Sequence, residues 1–298
     1  MQDKKINFVF WGTPEVASET LNILKQLNFI PALIITSPDA KKGRGMHLEA
    51  SPVAIFAQKN NIPCLKPDKL DEEFTLKLST FNFQLSVVVA YGKIIPENIL
   101  NLPKLGSINI HYSLLPKYRG ASPVESAILN GETETGVTIQ KMKFAMDAGD
   151  ILAQEKVNIF SDEKAPDLRT RLIKIGGELL VKTLNTPSAL RQAQGTSPYV
   201  WGGWVGVPQN ENEATFCRKI KKEDGLVDLE KELPNVLYNK FRAYDTWPRI
   251  FFFKNGKRII ITDATLENKQ FIIKKVLPEG KKEIKYEEFL KIQGKTLY

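Results

Sequence analysis

Over its first half the chain alternates short apolar runs with amphipathic stretches. Ile6–Phe10 is a largely apolar run with no regular polar alternation, the pattern of a strand buried on both faces. Gly12-Thr13-Pro14 then turns the chain, with Thr13 placed to cap a helix and Pro14 at its first position. Val16, Leu21, Leu24 and Leu27 give that helix an apolar face. Ile30–Ile35 reads as a second strand. Ser51-Pro52 is another helix start, running to about Lys59, and a charged helix follows near Asp68–Leu78. Leu85–Ala90, Ser107–His111, Gly136–Lys141 and Ile151–Val157 read as further strands, and Asp167–Leu184 as a long amphipathic helix. This alternation predicts an open α/β sheet, in which ligands bind outside the carboxyl ends of the strands.

The texture breaks at residues 185–213. Pro187, Pro198, Pro208, Gly195, Gly202, Gly203 and Gly206 crowd this stretch, which reads as a linker carrying an insertion over about 187–207. From 214 to 298 one helix near Leu233–Tyr244 precedes the strands Ile250–Phe253, Lys257–Ala264 and Phe271–Val276. Asn255-Gly256 joins the first two as a hairpin turn. The expected organisation is an α/β domain at 1–184, a linker at 185–213 and a small β-rich domain, a barrel, at 214–298.

Composition narrows the function classes. The 298 residues are 42% hydrophobic and 26% charged, ordinary values for a globular protein with a proper core. No run of about 18 apolar residues exists, so a membrane span is not expected. The apolar run near the N-terminus is too short for a signal peptide. Cys64 and Cys217 lie far apart and offer neither a metal spacing nor a disulfide framework, so a metal-free protein in a reducing cytoplasm is expected. The net charge is +8. Residues 209–298 hold 19 Lys+Arg against 14 Asp+Glu. Charge alone leaves two readings open, a polyanion partner and a merely basic surface.

The chemistry concentrates at Asn109, His111 and Asp147. Residues two apart on a strand point to the same side, so an amide and an imidazole converge at the end of the run Gly106–Ile110. Asp147 lies in a turn-rich loop, Asp147-Ala148-Gly149-Asp150, from which a carboxylate can pair with that imidazole. Such a set suits acyl transfer without a nucleophilic side chain. A satisfied core histidine is the alternative for His111 taken alone. Lys41-Lys42-Gly43-Arg44-Gly45 is a basic loop suited to phosphate contact, or a solvated surface loop. Gly12-Thr13-Pro14-Glu15 lacks the dinucleotide-binding spacing, and no phosphate-binding Walker pattern occurs.

Together these residues resemble the folate-dependent formyltransferases, in the branch that acts on methionyl-tRNA. The resemblance rests on Asn109-x-His111-x-Ser113-Leu114-Leu115-Pro116 with Arg119-Gly120, and on the Met146–Asp150 loop. It rests also on Phe10–Glu15, Ser37-Pro38-Asp39, Gly43-Arg44-Gly45, Ser51-Pro52-Val53 and Gly136–Ile139. It resumes at Pro208-Gln209-Asn210 and over Ala214–Gly225. It implies a Rossmann-like formyl-transfer domain followed by an OB-like barrel that helps hold tRNA. It implies 10-formyltetrahydrofolate as co-substrate, no metal, and initiator methionyl-tRNA as partner of a monomeric, cytoplasmic enzyme. The implied catalytic set is Asn109, His111 and Asp147. Tyr91, Gly92, Lys93, Ile94, Ile95, Ser113, Leu114, Leu115 and Pro116 are the implied folate-side residues, with a cis Leu115–Pro116 bond. Lys41, Lys42 and Arg44 are the implied tRNA contacts. A sibling enzyme formylating a small amine and a non-catalytic nucleic-acid-binding protein are the competing readings.

Overall fold

The computed structural model describes residues 6–42, 46–185, 200–201, 204–292 and 294. Arg44 and most of the expected insertion lie outside them. The chain forms two compact units that interleave along the sequence. The first comprises 1–119, 136–157 and 171–215, and the second 120–135, 158–170 and 216–298. Among the described residues no helix is long and apolar enough to cross a membrane.

The first unit is built on a seven-stranded sheet. Its order is Ile151–Asn158, Glu134–Lys141, Ser107–His111, Leu85–Val89, Phe8–Gly12, Leu33–Ile35, Cys64–Leu65. The last five are mutually parallel, and Glu134–Lys141 runs antiparallel to Ser107–His111. Chain order reverses between Phe8–Gly12 and Leu85–Val89, which makes the carboxyl end of that pair the expected ligand edge. Phe8–Gly12 and Leu85–Val89 are buried along their whole lengths, which explains their unbroken apolar character. Trp11 is fully buried. Its indole donates to Ser86 Oγ at 3.2 Å, and it meets Phe74 and Tyr91 edge-on at 6.2 and 5.2 Å. Aromatic pairs of this kind add about 0.5–1.5 kcal/mol each beyond their buried area.

Two local expectations shift. The first helix is Glu15–Gln26, preceded by Pro14 with no side-chain cap. The Thr13 hydroxyl instead donates to the Tyr91 carbonyl at 3.0 Å, so a tertiary bond takes the group expected to cap. Leu27, expected on the apolar face, falls past the helix end and is exposed. The second strand is Leu33–Ile35 only, Pro31 having no N–H to offer a ladder. Ser51 behaves as read: its Oγ accepts from the Ala54 N–H at 3.0 Å, with Pro52 beginning the helix.

The second unit carries a four-stranded antiparallel sheet, in the order Phe251–Lys254, Lys257–Glu267, Gln270–Pro278, Ile284–Lys285. Asn255 and Gly256 both have positive φ, as a two-residue hairpin turn of this kind requires. The pairing register of Lys257–Glu267 slips between Ile261 and Ala264. Such bulges coil a small sheet, the device by which strands curve toward a barrel. Helix Pro123–Leu129 packs against helix Pro234–Ala243 in the same unit.

Candidate active site

The strand Ser107–His111 has a partner on each side, Val88 opposite Asn109 in the parallel pairing and Gln140 opposite it in the antiparallel one. The ladder fixes Asn109 and His111 two residues apart on one face at the carboxyl end. Asn109 is half-buried, and its side-chain amide makes no hydrogen bond to any described residue. Its two N–H donors are therefore available to a ligand.

His111 is buried. Its Nε2 donates to the Tyr118 carbonyl at 2.8 Å, which places a proton on Nε2. Nδ1 then faces Asp147 Oδ2 at 3.7 Å, longer than a direct hydrogen bond. The Tyr118 carbonyl is held by a residue in the left-handed region, φ +61°, in the loop that follows the strand.

Asp147 is held differently. It has φ +49°, unusual for any side chain other than glycine, in the loop between Glu134–Lys141 and Ile151–Asn158. Its Oδ1 accepts from the Gln140 amide at 2.9 Å. Gln209 donates to the Asp147 and Gly149 carbonyls at 2.8 and 2.7 Å. Its own Oε1 accepts from Arg119 Nε and Nη2 at 3.0 and 2.8 Å. Arg119 is buried and also grips Glu211 through two bonds of 2.8 Å. That pairing raises the Arg119 pKa and lowers that of Glu211. Gly149 has no room for a side chain, since a Cβ there would lie 1.5 Å from the Lys141 carbonyl oxygen.

The expected folate-side residues sort into three groups. Tyr91 and Ile95 belong to the buried cluster with Trp11 and Phe74, so they form the wall behind the edge. The Tyr91 hydroxyl is buried with no hydrogen-bond partner among the described residues, and burial pushes its pKa up to about 12. Gly92, Lys93 and Ile94 are exposed, with Gly92 at φ +83° and Lys93 Nζ donating to the Pro67 and Asp68 carbonyls. Ser113 and Leu115 are buried, while Leu114 and Pro116 are half-buried. The Ser113 hydroxyl donates to the Lys117 carbonyl at 2.6 Å and so shapes its own loop. Thr138 and Gln154 tie the Ser113 and Leu115 carbonyls from the neighbouring strands. The Leu115–Pro116 bond is cis, as expected.

Lys41 and Lys42 lie on a short hairpin strand, Ala40–Lys42, paired with His47–Glu49. Lys41 is exposed. Arg44 falls outside the described residues. Among the described residues no group of three or more His, Cys, Asp or Glu side chains is arranged to hold a metal ion.

Sequence reading missed Gln140, Gln209 and the role of Arg119. Gln140 is buried opposite Asn109 on the neighbouring strand. Gln209 carried only its place in the Pro208-Gln209-Asn210 match.

Comparison with known proteins identifies the family. The N-terminal formyl transferase domain model matches residues 4–184, and the formyl transferase C-terminal domain model matches 219–272. A methionyl-tRNA formyltransferase of Koribacter versatilis is 40% identical over 258 residues, 86% of this chain and 78% of that protein. The structure of a methionyl-tRNA formyltransferase from Clostridium thermocellum superposes with a TM-score of 0.60 at 18% identity, covering 94% of this chain and 99% of that one. An N-formyltransferase of Helicobacter canadensis, solved with folinic acid and dTDP-3-aminofucose, gives 0.61 at 21% identity over 88% of each chain. These two superpositions establish the fold, and a fold does not by itself fix the substrate. Sequence kinship is the finer guide, and by it this chain belongs to the methionyl-tRNA formyltransferase branch of the formyltransferase family.

Proposed function

We infer that the protein transfers a formyl group from 10-formyltetrahydrofolate to the α-amino group of methionyl-initiator tRNA. One observation supports the chemistry most directly. An Asn109 amide unengaged by any described residue and His111 share a face of the strand, with Asp147 Oδ2 3.7 Å from His111 Nδ1. The exposed Gly92–Ile94 segment and the buried Tyr91 hydroxyl, without a partner among the described residues, suit a flat ligand with apolar faces and polar edges.

In this reading Asn109 and His111, the latter as an imidazolium carrying a proton on Nδ1 as well as on Nε2, donate to the formyl oxygen as the amine attacks the formyl carbon. One preorganised donor of this kind is worth ~10²–10³ in rate. Asp147 accepts the proton the amine loses. The bond from the formyl carbon to the folate N10 then breaks, and Asp147 relays the amine's proton to that nitrogen as it leaves, which returns Asp147 to the carboxylate. His111, tied through Nε2 to the Tyr118 carbonyl, keeps Nδ1 as its working edge.

The acceptor is assigned to the basic elements. Lys41, Lys42 and Arg44 contact tRNA phosphate or the terminal base pair, and the basic residues of 214–298 add non-specific grip. The functional division follows the expected boundaries, 1–184 for formyl transfer and 214–298 for tRNA. The protein acts as a monomer in the cytoplasm. The deciding assay is formylation of charged methionyl-tRNA by the purified chain, with nucleotide-linked amino sugars as competing acceptors. Formylation of the sugars in preference to the tRNA would overturn the acceptor assignment. Arg44→Ala should lower kcat/KM for methionyl-tRNA, and the difference from wild type should shrink as salt rises, because the variant has one phosphate contact fewer to lose.

A further inference from the structure

We propose that Gln209 is a positioning residue for formyl transfer, clamping the Asp147 loop to the buried Arg119 and so setting where the Asp147 carboxylate points. The proposal rests on the functional reading above and extends it to a residue in the stretch that composition marks as a linker.

The hydrogen-bond inventory of Gln209 is filled. A glutamine amide has two N–H donors and one oxygen with two lone pairs. The donors reach the carbonyls of Asp147 and Gly149. The oxygen takes two N–H groups of Arg119. Arg119 is then fixed from its other side by Glu211. No other side chain reproduces this. Glutamate keeps the Arg119 contact but sets a carboxylate against two carbonyls. Alanine breaks both ends.

The backbone under Gln209 is anchored independently. Val207 exchanges both backbone hydrogen bonds with Ile151, at 2.8 Å each, where the Asp147 loop returns to the sheet. The loop needs outside ties because Asp147 stands in the left-handed region, a conformation that persists only when its surroundings impose it. Gln140 fixes one carboxylate oxygen and Gln209 fixes the backbone beneath it. Oδ2 is thereby left to face His111 Nδ1.

The test compares Gln209→Ala and Gln209→Glu with wild type in formylation of methionyl-tRNA. Both variants should lose kcat by about 10-fold or more, the usual scale for residues that orient a working group, with KM for the folate co-substrate within about twofold. In an Asp147→Ala background the same substitutions should cost less than about threefold, because what they position is gone. The chain has two histidines, which gives a readout independent of turnover. In NMR spectra, Gln209→Ala should move the His111 ring resonances and leave those of His47, on an exposed hairpin strand, in place. If Gln209→Ala melts far below wild type, Gln209→Glu decides, since it retains the Arg119 contact. Wild-type kcat in Gln209→Glu, an equal loss in the Asp147→Ala background, or unmoved His111 signals would overturn the proposal. Failure of the wild-type protein to formylate methionyl-tRNA would instead overturn the acceptor assignment, and the NMR comparison would still judge the clamp.

Discussion

The two halves of the candidate site are supported in opposite ways. Asn109 and His111 stand on a strand paired on both edges, with regular backbone and a ladder of mutually reinforcing hydrogen bonds. Asp147 stands in a loop, in a rarely populated backbone conformation, held by two glutamine side chains and by a glycine pressed against the neighbouring strand. The difference separates two kinds of precision. A strand position tolerates loss of its side chain because the backbone does not depend on it. A loop position depends on a few specific bonds, so its geometry can fail while the fold stays intact.

The largest effects test the chemistry on both halves. Asn109→Ala, His111→Ala and Asp147→Ala should each reduce kcat by ~10²-fold or more in methionyl-tRNA formylation, with unchanged circular dichroism. Near-wild-type turnover in any one of them removes that residue from the catalytic set. Next comes Gly149→Ala, which attacks the loop without touching a working group. The new methyl has no room beside the Lys141 carbonyl. Unfolding in urea should show a loss of about 2 kcal/mol, the usual cost of overpacking. An unchanged midpoint would mean that the loop is not pressed against the strand.

A loop of the second unit sharpens the contrast, because an ion pair holds it in place of amides. Asp224 is bound by Arg218 at 2.7 and 2.5 Å and by the Lys221 N–H at 2.6 Å. The Arg218 bond, chiefly, lowers its pKa from 3.8 to about 2. A depressed carboxylate stabilises the fold above its unfolded pKa and loses that contribution as pH falls through the folded one. The Tm advantage of wild type over Asp224→Asn should therefore be constant above about pH 4 and shrink toward pH 2. A pH-independent difference would refute the pairing. The smallest effect belongs to Lys143→Ala. Lys143 bridges Asp150 at 2.8 Å but is half exposed, so stability should change by no more than about 0.5 kcal/mol.

The same division explains what the sequence could tell. Phe8–Gly12, Leu85–Val89 and Ser107–His111 were readable because burial on both faces writes itself as apolar runs. Asn109 and His111 were readable because strand spacing is short-range. Asp147 stood out as a carboxylate in a turn-rich loop, but its pairing with His111 was only a possibility in the sequence, since nothing local brings residue 147 to residue 111. Gln209 lies among prolines and glycines that mark a linker, and its role depends on the bridge from Val207 to Ile151, which no local pattern encodes. Thr13 shows the converse. Its sequence context favours a cap, and a tertiary partner, the Tyr91 carbonyl, outcompetes it.

The interleaving of the two units has a consequence for how the chain is made. Helix Pro123–Leu129 rests on helix Pro234–Ala243, which follows it by about a hundred residues. At ~5–20 residues per second of synthesis, the earlier helix emerges roughly five to twenty seconds before its partner exists. The parallel core from Phe8 to His111 has no such wait, since its strands are complete when residue 111 is. The birth order of the protein is therefore set by connectivity. The five parallel strands can assemble while the nascent chain is still being extended, and the second unit must close after its last strands are released.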